Sequence, residues 1–142
     1  MKRSLVISTT SVLLIILWAY TVSSKLSEFR HFKIQMRRQV FPEGMSEALA
    51  YILPITEIIA AALLCFAVTR IYGFVFSSLL LLAFSIYIAL ILTNIFGKVP
   101  CSCGGVLEQL GWGEHLIFNL AFLSLSIAGL FAEINNLKER RT

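Results

Sequence analysis

Two cysteines, Cys101 and Cys103, stand one residue apart in a polar segment between two strongly apolar runs. Cysteines at positions i and i+2 can reach disulfide distance on a bent backbone, but the small ring that they close is strained and more easily reduced than a structural bridge. Pro100 stiffens the approach to the pair, and Gly104 and Gly105 leave the backbone free to turn after it. The pattern predicts thiols that exchange with a partner rather than a permanent cross-link.

The same thiols allow two other interpretations. They can stay reduced and idle, or they can bind a soft metal ion with help from His115 or His31, because thiolate and imidazole suit copper or zinc. A C-x-C pair without clustered histidines or methionines is weak evidence for a metal. The third cysteine, Cys65, falls late in an apolar run, too far along to bridge the pair, and is expected to be a buried, inert thiol.

One acid, Glu57, lies inside an apolar run, about ten residues from its start and three after Pro54. A carboxyl group near the middle of a membrane is costly and usually functional. We expect it to relay protons or hydrogen-bond a bound quinone, or else to be protonated and bonded to a neighbouring helix. Candidate partners in the second case are Ser85, Tyr87 and Asn119. Asn94, near the end of the next run, lies closer to the cysteines and is a candidate for binding a ligand or a helix end.

The composition indicates a membrane protein, because a chain of 142 residues with 58% hydrophobic content is too apolar for a soluble core. Four runs reach or approach the roughly 17 to 25 residues that cross a bilayer as a helix. The first, behind Lys2 and Arg3, also fits a secretory signal, but its length and the runs that follow favour a retained helix. We expect the four helices at residues 4–24, 47–69, 71–97 and 113–133.

The loop after the first run has its own pattern, with apolar residues at helical spacing across residues 26–41 and basic residues around the other side. The apolar positions are Leu26, Phe29, Phe32, Met36 and Val40. Such a stripe predicts a helix in the membrane interface, on lipid or on the mouth of the bundle. The predicted fold is therefore all-α: an integral membrane four-helix bundle with an interfacial amphipathic helix in the first loop, forming one domain over residues 1–142.

Four crossings place both termini on one side and the long loop and the cysteines on the other. Lysine and arginine counts do not choose between the faces, because each carries six. A basic start, and the use of an exchangeable disulfide in an oxidising compartment, favour cytoplasmic termini and an extracytoplasmic Cys101 and Cys103 loop, in a bacterial-type inner membrane. The basic residues are confined to segments between and beyond the apolar runs, so we expect lipid contact and no nucleic-acid partner.

Nearly the whole chain resembles the MauE/DoxX family of redox-associated membrane proteins, which includes accessory proteins of methylamine utilisation. The cysteine segment, residues 99–103, is the most specific likeness, and Gly104 stands where the family loop often has an aromatic residue. The other matching stretches are residues 24–26, 53–57 and 115–119. The resemblance implies a four-helix bundle whose outward cysteine pair exchanges electrons with a partner, such as a thioredoxin-like protein, and with a membrane quinone. In the methylamine system such proteins are associated with the maturation of a disulfide-rich dehydrogenase subunit.

Three functions remain open at this stage. The first is a thiol–disulfide redox protein, a candidate oxidoreductase component, in which Cys101 and Cys103 form the exchanging pair and Glu57 with Asn94 supports a proton or quinone site. The others are a membrane protein that handles a soft metal and a non-catalytic scaffold subunit of a redox complex. Quinone-coupled oxidases of the vitamin K epoxide reductase group usually relay between two cysteine pairs. With one pair here, turnover by this chain alone stays open.

Overall fold

The computed structural model describes residues 2–97 and 111–141, and this part of the chain contains helices and no strand. Cys101 and Cys103, with Pro100, Gly104 and Gly105, lie outside the described residues. Four of the helices are long and apolar enough to cross a membrane, and the second is short. The predicted all-α class with four membrane-crossing helices is therefore confirmed. The helices are α1 Lys2–Ser27, α2 Phe29–Arg37, α3 Glu43–Cys65, α4 Arg70–Leu92 and α5 Trp112–Arg141.

The four long helices form a bundle in which each one packs on two neighbours. α1 lies against α3 and α5, and α4 lies against the same two helices, so α1 and α4 occupy opposite corners. A connection of only four residues, 66–69, joins α3 to α4, which makes these neighbours antiparallel. The helix ends that flank the cysteine segment, the end of α4 and the start of α5, lie at the same end of the bundle as α2.

Small and hydroxyl-bearing residues let the long helices approach one another closely. The indole of Trp18 on α1 donates a hydrogen bond to the hydroxyl of Ser77 on α4 across 2.9 Å. The hydroxyls of Ser78 on α4 and Ser126 on α5 are 2.8 Å apart. One turn further along α5, Gly129 lies so near an aromatic ring of α4 that an added Cβ would be 2.4 Å from it. Interfaces of this kind are typical of helices that associate in lipid.

The outward faces of the long helices are apolar. Ile16, Ile55 and Leu79, on three different helices, are each more than half exposed, which fits contact with lipid chains. Cys65, the last residue of α3, is also exposed, so the expectation of a buried thiol there is wrong. The preceding residue, Leu64, points into the core and is 1% exposed. A rotation of about 100° per residue then turns Cys65 outward.

The short helix α2 packs along the first half of α3. It is shorter than the predicted 26–41 stretch because α1 continues to Ser27 and includes Leu26. Phe32 and Met36 are buried against Ala50 of α3, as expected for the apolar stripe. α2 is therefore attached to the bundle by its apolar face, with its basic residues outside.

A polar contact secures the outer side of α2. The Lys33 ammonium donates to the Glu47 carboxylate at 3.2 Å and to the Tyr51 hydroxyl at 3.1 Å. The hydrogen bonds with Tyr51 and Glu47 raise the pKa of Lys33 above its ordinary value. The lysine stays charged at neutral pH and joins α2 to the first turns of α3.

The helix ends differ from the predicted boundaries. α3 begins four residues early, directly after Pro42, and ends at Cys65. α4 ends at Leu92 rather than at residue 97, because Asn94 and Gly97 adopt positive φ angles of 56° and 65° that a helix cannot continue through. α5 continues past residue 133 to Arg141.

Candidate functional site

The bundle contains a cavity of about 300 Å³ at the end where α2 lies. All five helices contribute to its lining, and most of the lining is apolar. A mostly apolar cavity with a few polar groups is the usual form of a small-molecule site. The polar side chains in the lining, counting indole and phenol groups, are Trp18, Tyr20, Thr21, Ser24, Lys25, Gln39, Glu57, Tyr87, Trp112, His115 and Asn119.

A buried ion pair between Lys25 and Glu57 forms part of the cavity wall. Lys25 lies in the last turn of α1, and Glu57 lies one turn after Pro54 in α3. Their side chains are only 9% and 1% exposed. The ammonium also faces the rings of Phe32 and Phe84, at 5.8 and 6.0 Å from their centroids. Each charge compensates the hydration that the other has lost, so the pair holds α1 against α3 at this end of the bundle.

The partner of Glu57 differs from the candidates named from the sequence. The sequence offers Ser85, Tyr87 or Asn119 as the partner. In the structure the carboxylate instead accepts a hydrogen bond from Lys25. The hydrophobic run ends at residue 24, which placed Lys25 in the loop, but α1 continues beyond it. Glu57 lies just past the midpoint of α3, and the long side chain of Lys25 reaches it from the last turn of α1.

Three buried polar atoms in the cavity lining have no hydrogen-bond partner among the described residues. They are Oε2 of Glu57, Nδ1 of His115 and Nδ2 of Asn119. Glu57 and Asn119 are 1% and 5% exposed, so bulk water does not satisfy them. Buried polar atoms are normally paired, and unpaired ones point to a bound molecule or ordered water. The cavity therefore offers both donors and an acceptor to a ligand.

The end of α2 and the chain after it cover one side of the cavity. Phe32 and Met36 of α2 line it, as do Gln39 and Phe41 in the connection to α3. The Tyr87 hydroxyl on α4 donates to the Gln39 side-chain carbonyl at 2.5 Å. The Tyr87 ring stacks on that of Phe41, with centroids 5.4 Å apart and an angle of 21° between the planes. Tyr87 thus fastens this cover to α4.

Asn94 lies away from the cavity. It is exposed, it does not line the cavity, and its backbone N–H donates to the Ile91 carbonyl at 3.1 Å. With its φ of 56°, it forms the left-handed end of α4, which is the helix-end alternative considered above. Binding of a ligand by Asn94 stays a prediction, because no contact among the described residues tests it.

The two histidines named for a metal site lie apart. His115 lines the cavity on α5, whereas His31 is exposed on α2 with its Nε2 2.9 Å from the Gln35 amide nitrogen. Across residues 2–97 and 111–141, no group of three or more His, Cys, Asp or Glu side chains could hold a metal ion. The cysteine ligands of that hypothesis fall outside these ranges, so it stays a prediction.

Comparison with known families adds to this geometry. The family described as methylamine utilisation protein MauE matches residues 3–132 of the 142. The chain belongs to the MauE family. The match includes all the residues that line the cavity and the segment with Cys101 and Cys103, so both features of this MauE-family membrane protein lie within the family region. No significant match occurs among curated proteins or among solved structures.

Proposed function

We propose that this MauE-family membrane protein is a thiol–disulfide redox protein. It passes electrons from a dithiol partner, a thioredoxin-like or client protein, to a quinone in the cavity, and so supports the maturation of disulfide-bearing proteins. Cys101 and Cys103 form the exchanging pair. The quinone is the lipid-soluble substrate that accepts the electrons, and Glu57 and Lys25 belong to its binding site.

The observation that carries this proposal is the cavity's position at the helix ends that flank the cysteine segment. α5 begins at Trp112, which itself lines the cavity, and α4 contributes Tyr87 and Ile88 shortly before it ends. Cys101 and Cys103 belong to the connection between these two helix ends. A ligand site and a thiol pair attached to the same end of one bundle are the two parts that a thiol–quinone reaction requires.

The residues present suit a quinone. Its planar apolar ring matches walls of aromatic and aliphatic side chains, among them Phe84 and Phe118. Its carbonyl oxygens accept hydrogen bonds, which the Lys25 ammonium and the unpaired Nδ2 of Asn119 can donate. The cavity volume of about 300 Å³ lies at the lower end of ligand pockets, which fits one ring better than a large polar cofactor.

The proposed reaction balances in electrons and protons. The thiols of Cys101 and Cys103 lose two electrons and two protons and form a disulfide, and the bound quinone takes up both and leaves as the quinol. A partner thiolate then attacks one sulfur of that disulfide and expels the other sulfur as a thiolate. The partner's second thiol resolves the mixed disulfide, so the partner leaves oxidised and the pair is reduced again.

The remaining predicted site residues have supporting parts in this proposal. From the sequence alone we expect Pro100, Gly104 and Gly105 to shape the backbone around the sulfurs, and Asn94 ends α4 ahead of them. We place the cysteine loop on the extracytoplasmic face and both termini in the cytoplasm of a bacterial-type inner membrane. That compartment is oxidising, so a partner that the pair has oxidised there keeps its disulfide.

The test is a covalent trap in native membranes. With Cys103→Ser, Cys101 cannot form the pair's disulfide, but its thiolate can attack the disulfide of an oxidised partner in the reverse of the same exchange. Because Cys103 is then absent and cannot resolve the product, a mixed disulfide with one discrete partner should accumulate. In part of the parent population Cys101 and Cys103 should form a disulfide, and these molecules should react with a maleimide reagent only after mild reduction. A Cys65→Ser background removes the exposed third thiol from both readouts. The proposal is overturned if labelling never depends on reductant and neither single cysteine variant traps a partner.

The two other functions named from the sequence predict different results. A metal-handling protein should retain an ion after purification and lose it in Cys101→Ser. A scaffold should support its partner when Cys103 is Ser, but not when the bundle is disrupted. Either result, with no reductant-dependent labelling, would replace the redox proposal.

A further inference from the structure

We propose that the Lys25–Glu57 pair binds both redox forms of the cavity's ligand: a ring carbonyl in the oxidised form and a ring hydroxyl in the reduced form. This inference rests on the proposed function for the identity of the ligand as a quinone. It assigns a role to Lys25, a residue that the sequence placed in a loop.

Lys25 has donors to spare. An ammonium group carries three N–H donors, and within the described residues Lys25 makes one hydrogen bond, to Oε1 of Glu57. The ammonium also faces the rings of Phe32 and Phe84, which attract the charge but accept no conventional hydrogen bond, and it lies near His115. With a side chain 9% exposed and lining the cavity, the ammonium can offer an N–H to a carbonyl oxygen.

Glu57 has an acceptor to spare. Its Oε1 is occupied by Lys25, and the Thr21 hydroxyl lies close to the carboxylate, but Oε2 is buried and makes no hydrogen bond among the described residues. An ionised carboxylate oxygen only accepts hydrogen bonds. Oε2 can therefore receive the O–H of a ring hydroxyl but cannot bind a ring carbonyl.

The spare hydrogen-bond donor of Lys25 and the spare acceptor of Glu57 match the change that a quinone undergoes. An oxidised ring oxygen only accepts a hydrogen bond, and it is served by Lys25. After reduction the same oxygen carries a hydrogen, which Glu57 accepts. Because donor and acceptor belong to one fixed ion pair, the ring keeps its place when its redox state changes, and only its hydrogen-bond partner changes.

The test measures binding of each redox form without thiol chemistry. The probe is a short-chain benzoquinone or its quinol, added to the full chain with Cys101→Ser and Cys103→Ser in lipid nanodiscs. Both tryptophans of the chain, Trp18 and Trp112, line the cavity, so the change in tryptophan fluorescence reports occupancy. The quinol is kept reduced under anaerobic conditions.

Glu57→Gln gives the sharpest prediction. Its amide oxygen can keep the contact with Lys25, and its NH₂ then replaces the free acceptor by a donor. Quinol affinity should fall about tenfold or more, as expected for a lost hydrogen bond to a charged group. Quinone affinity should stay unchanged or rise.

Two further variants keep the prediction testable if one of them folds poorly. Lys25→Met with Glu57→Leu removes both charges and should weaken both forms, whereas Ser126→Ala, two turns down α5 from the cavity, should weaken neither. Equal loss of both forms in Glu57→Gln, or no binding to the parent protein, overturns the inference. Equal loss in Glu57→Gln leaves the proposed function standing, because the parent protein still binds a quinone, whereas no binding to the parent protein also removes the quinone from the proposed function. Selective binding in a protein whose Cys101 and Cys103 never exchange with a partner supports the inference and contradicts the proposed function.

Discussion

Removing Lys25 alone should destabilise the protein more than removing Lys25 and Glu57 together. In Lys25→Met, the methionine occupies the space of the lysine stem, but Glu57, 1% exposed, loses its counter-charge. Breaking a buried pair typically costs about 3 to 5 kcal/mol. A lone carboxyl can take up a proton and reduce that cost to the price of unpaired oxygens, about 1 to 3 kcal/mol. We therefore expect a loss of about 3 kcal/mol.

Lys25→Met combined with Glu57→Leu leaves no charge to compensate and should fall within about 1 kcal/mol of the parent protein, because well-packed apolar replacements of buried pairs are often neutral. The assay is reversible unfolding in mixed detergent and denaturing-detergent micelles, followed by helical circular dichroism. A double-mutant cycle then gives a coupling energy of about 2 kcal/mol or more.

The exposed contact of Lys33 with Glu47 is the matched control for this cycle. Its side chains are 25% and 51% exposed, so Lys33→Met should change stability little, as is usual for surface pairs. Additive losses in the Lys25 and Glu57 cycle, with no coupling, would refute the view that these two residues act as one buried unit.

Two further predictions concern packing and the cavity cover. Gly129→Ala should cost about 1 to 3 kcal/mol of stability by overpacking, since its Cβ would lie 2.4 Å from Cε1 of Phe74. Gly113→Ala is the control and should cost little, because an added Cβ there has nothing within 4 Å. Equal unfolding curves for the two variants would contradict this prediction. Tyr87→Phe removes the hydroxyl that donates to Gln39 and should speed amide hydrogen exchange in residues 38–41 without slowing refolding of the bundle. Unchanged exchange there would show that Tyr87 does not fasten the cover.

The broad architecture could be predicted because it follows from composition and periodicity. Four uncharged or nearly uncharged runs fix four membrane helices, and the spacing of Phe32 and Met36 marks the buried face of α2. These features depend on the local sequence, and no contact between distant residues overrides them. Boundaries were less accurate, since a polar residue such as Lys25 can extend a helix when the tertiary structure supplies its partner.

The site was only partly predictable. The sequence singles out Glu57 as the one acid in an apolar run and offers His115 and Asn119 as candidates, but their common cavity depends on how the helices pack. Lys25 was missed, although an acid within an apolar run calls for a cation and Lys25 directly follows such a run. Cys65 was placed wrongly because sequence alone does not show which helix face meets lipid.

The most direct test of the redox proposal is a single-turnover reaction of the purified protein. The Cys65→Ser protein, with Cys101 and Cys103 reduced, is placed in anaerobic nanodiscs with a quinone, and thiol and quinol contents are measured together. We predict that one disulfide and one quinol form per chain, and that Cys103→Ser forms no quinol. Thiols that stay reduced and reactive beside excess quinone, with no quinol produced, would contradict the central claim.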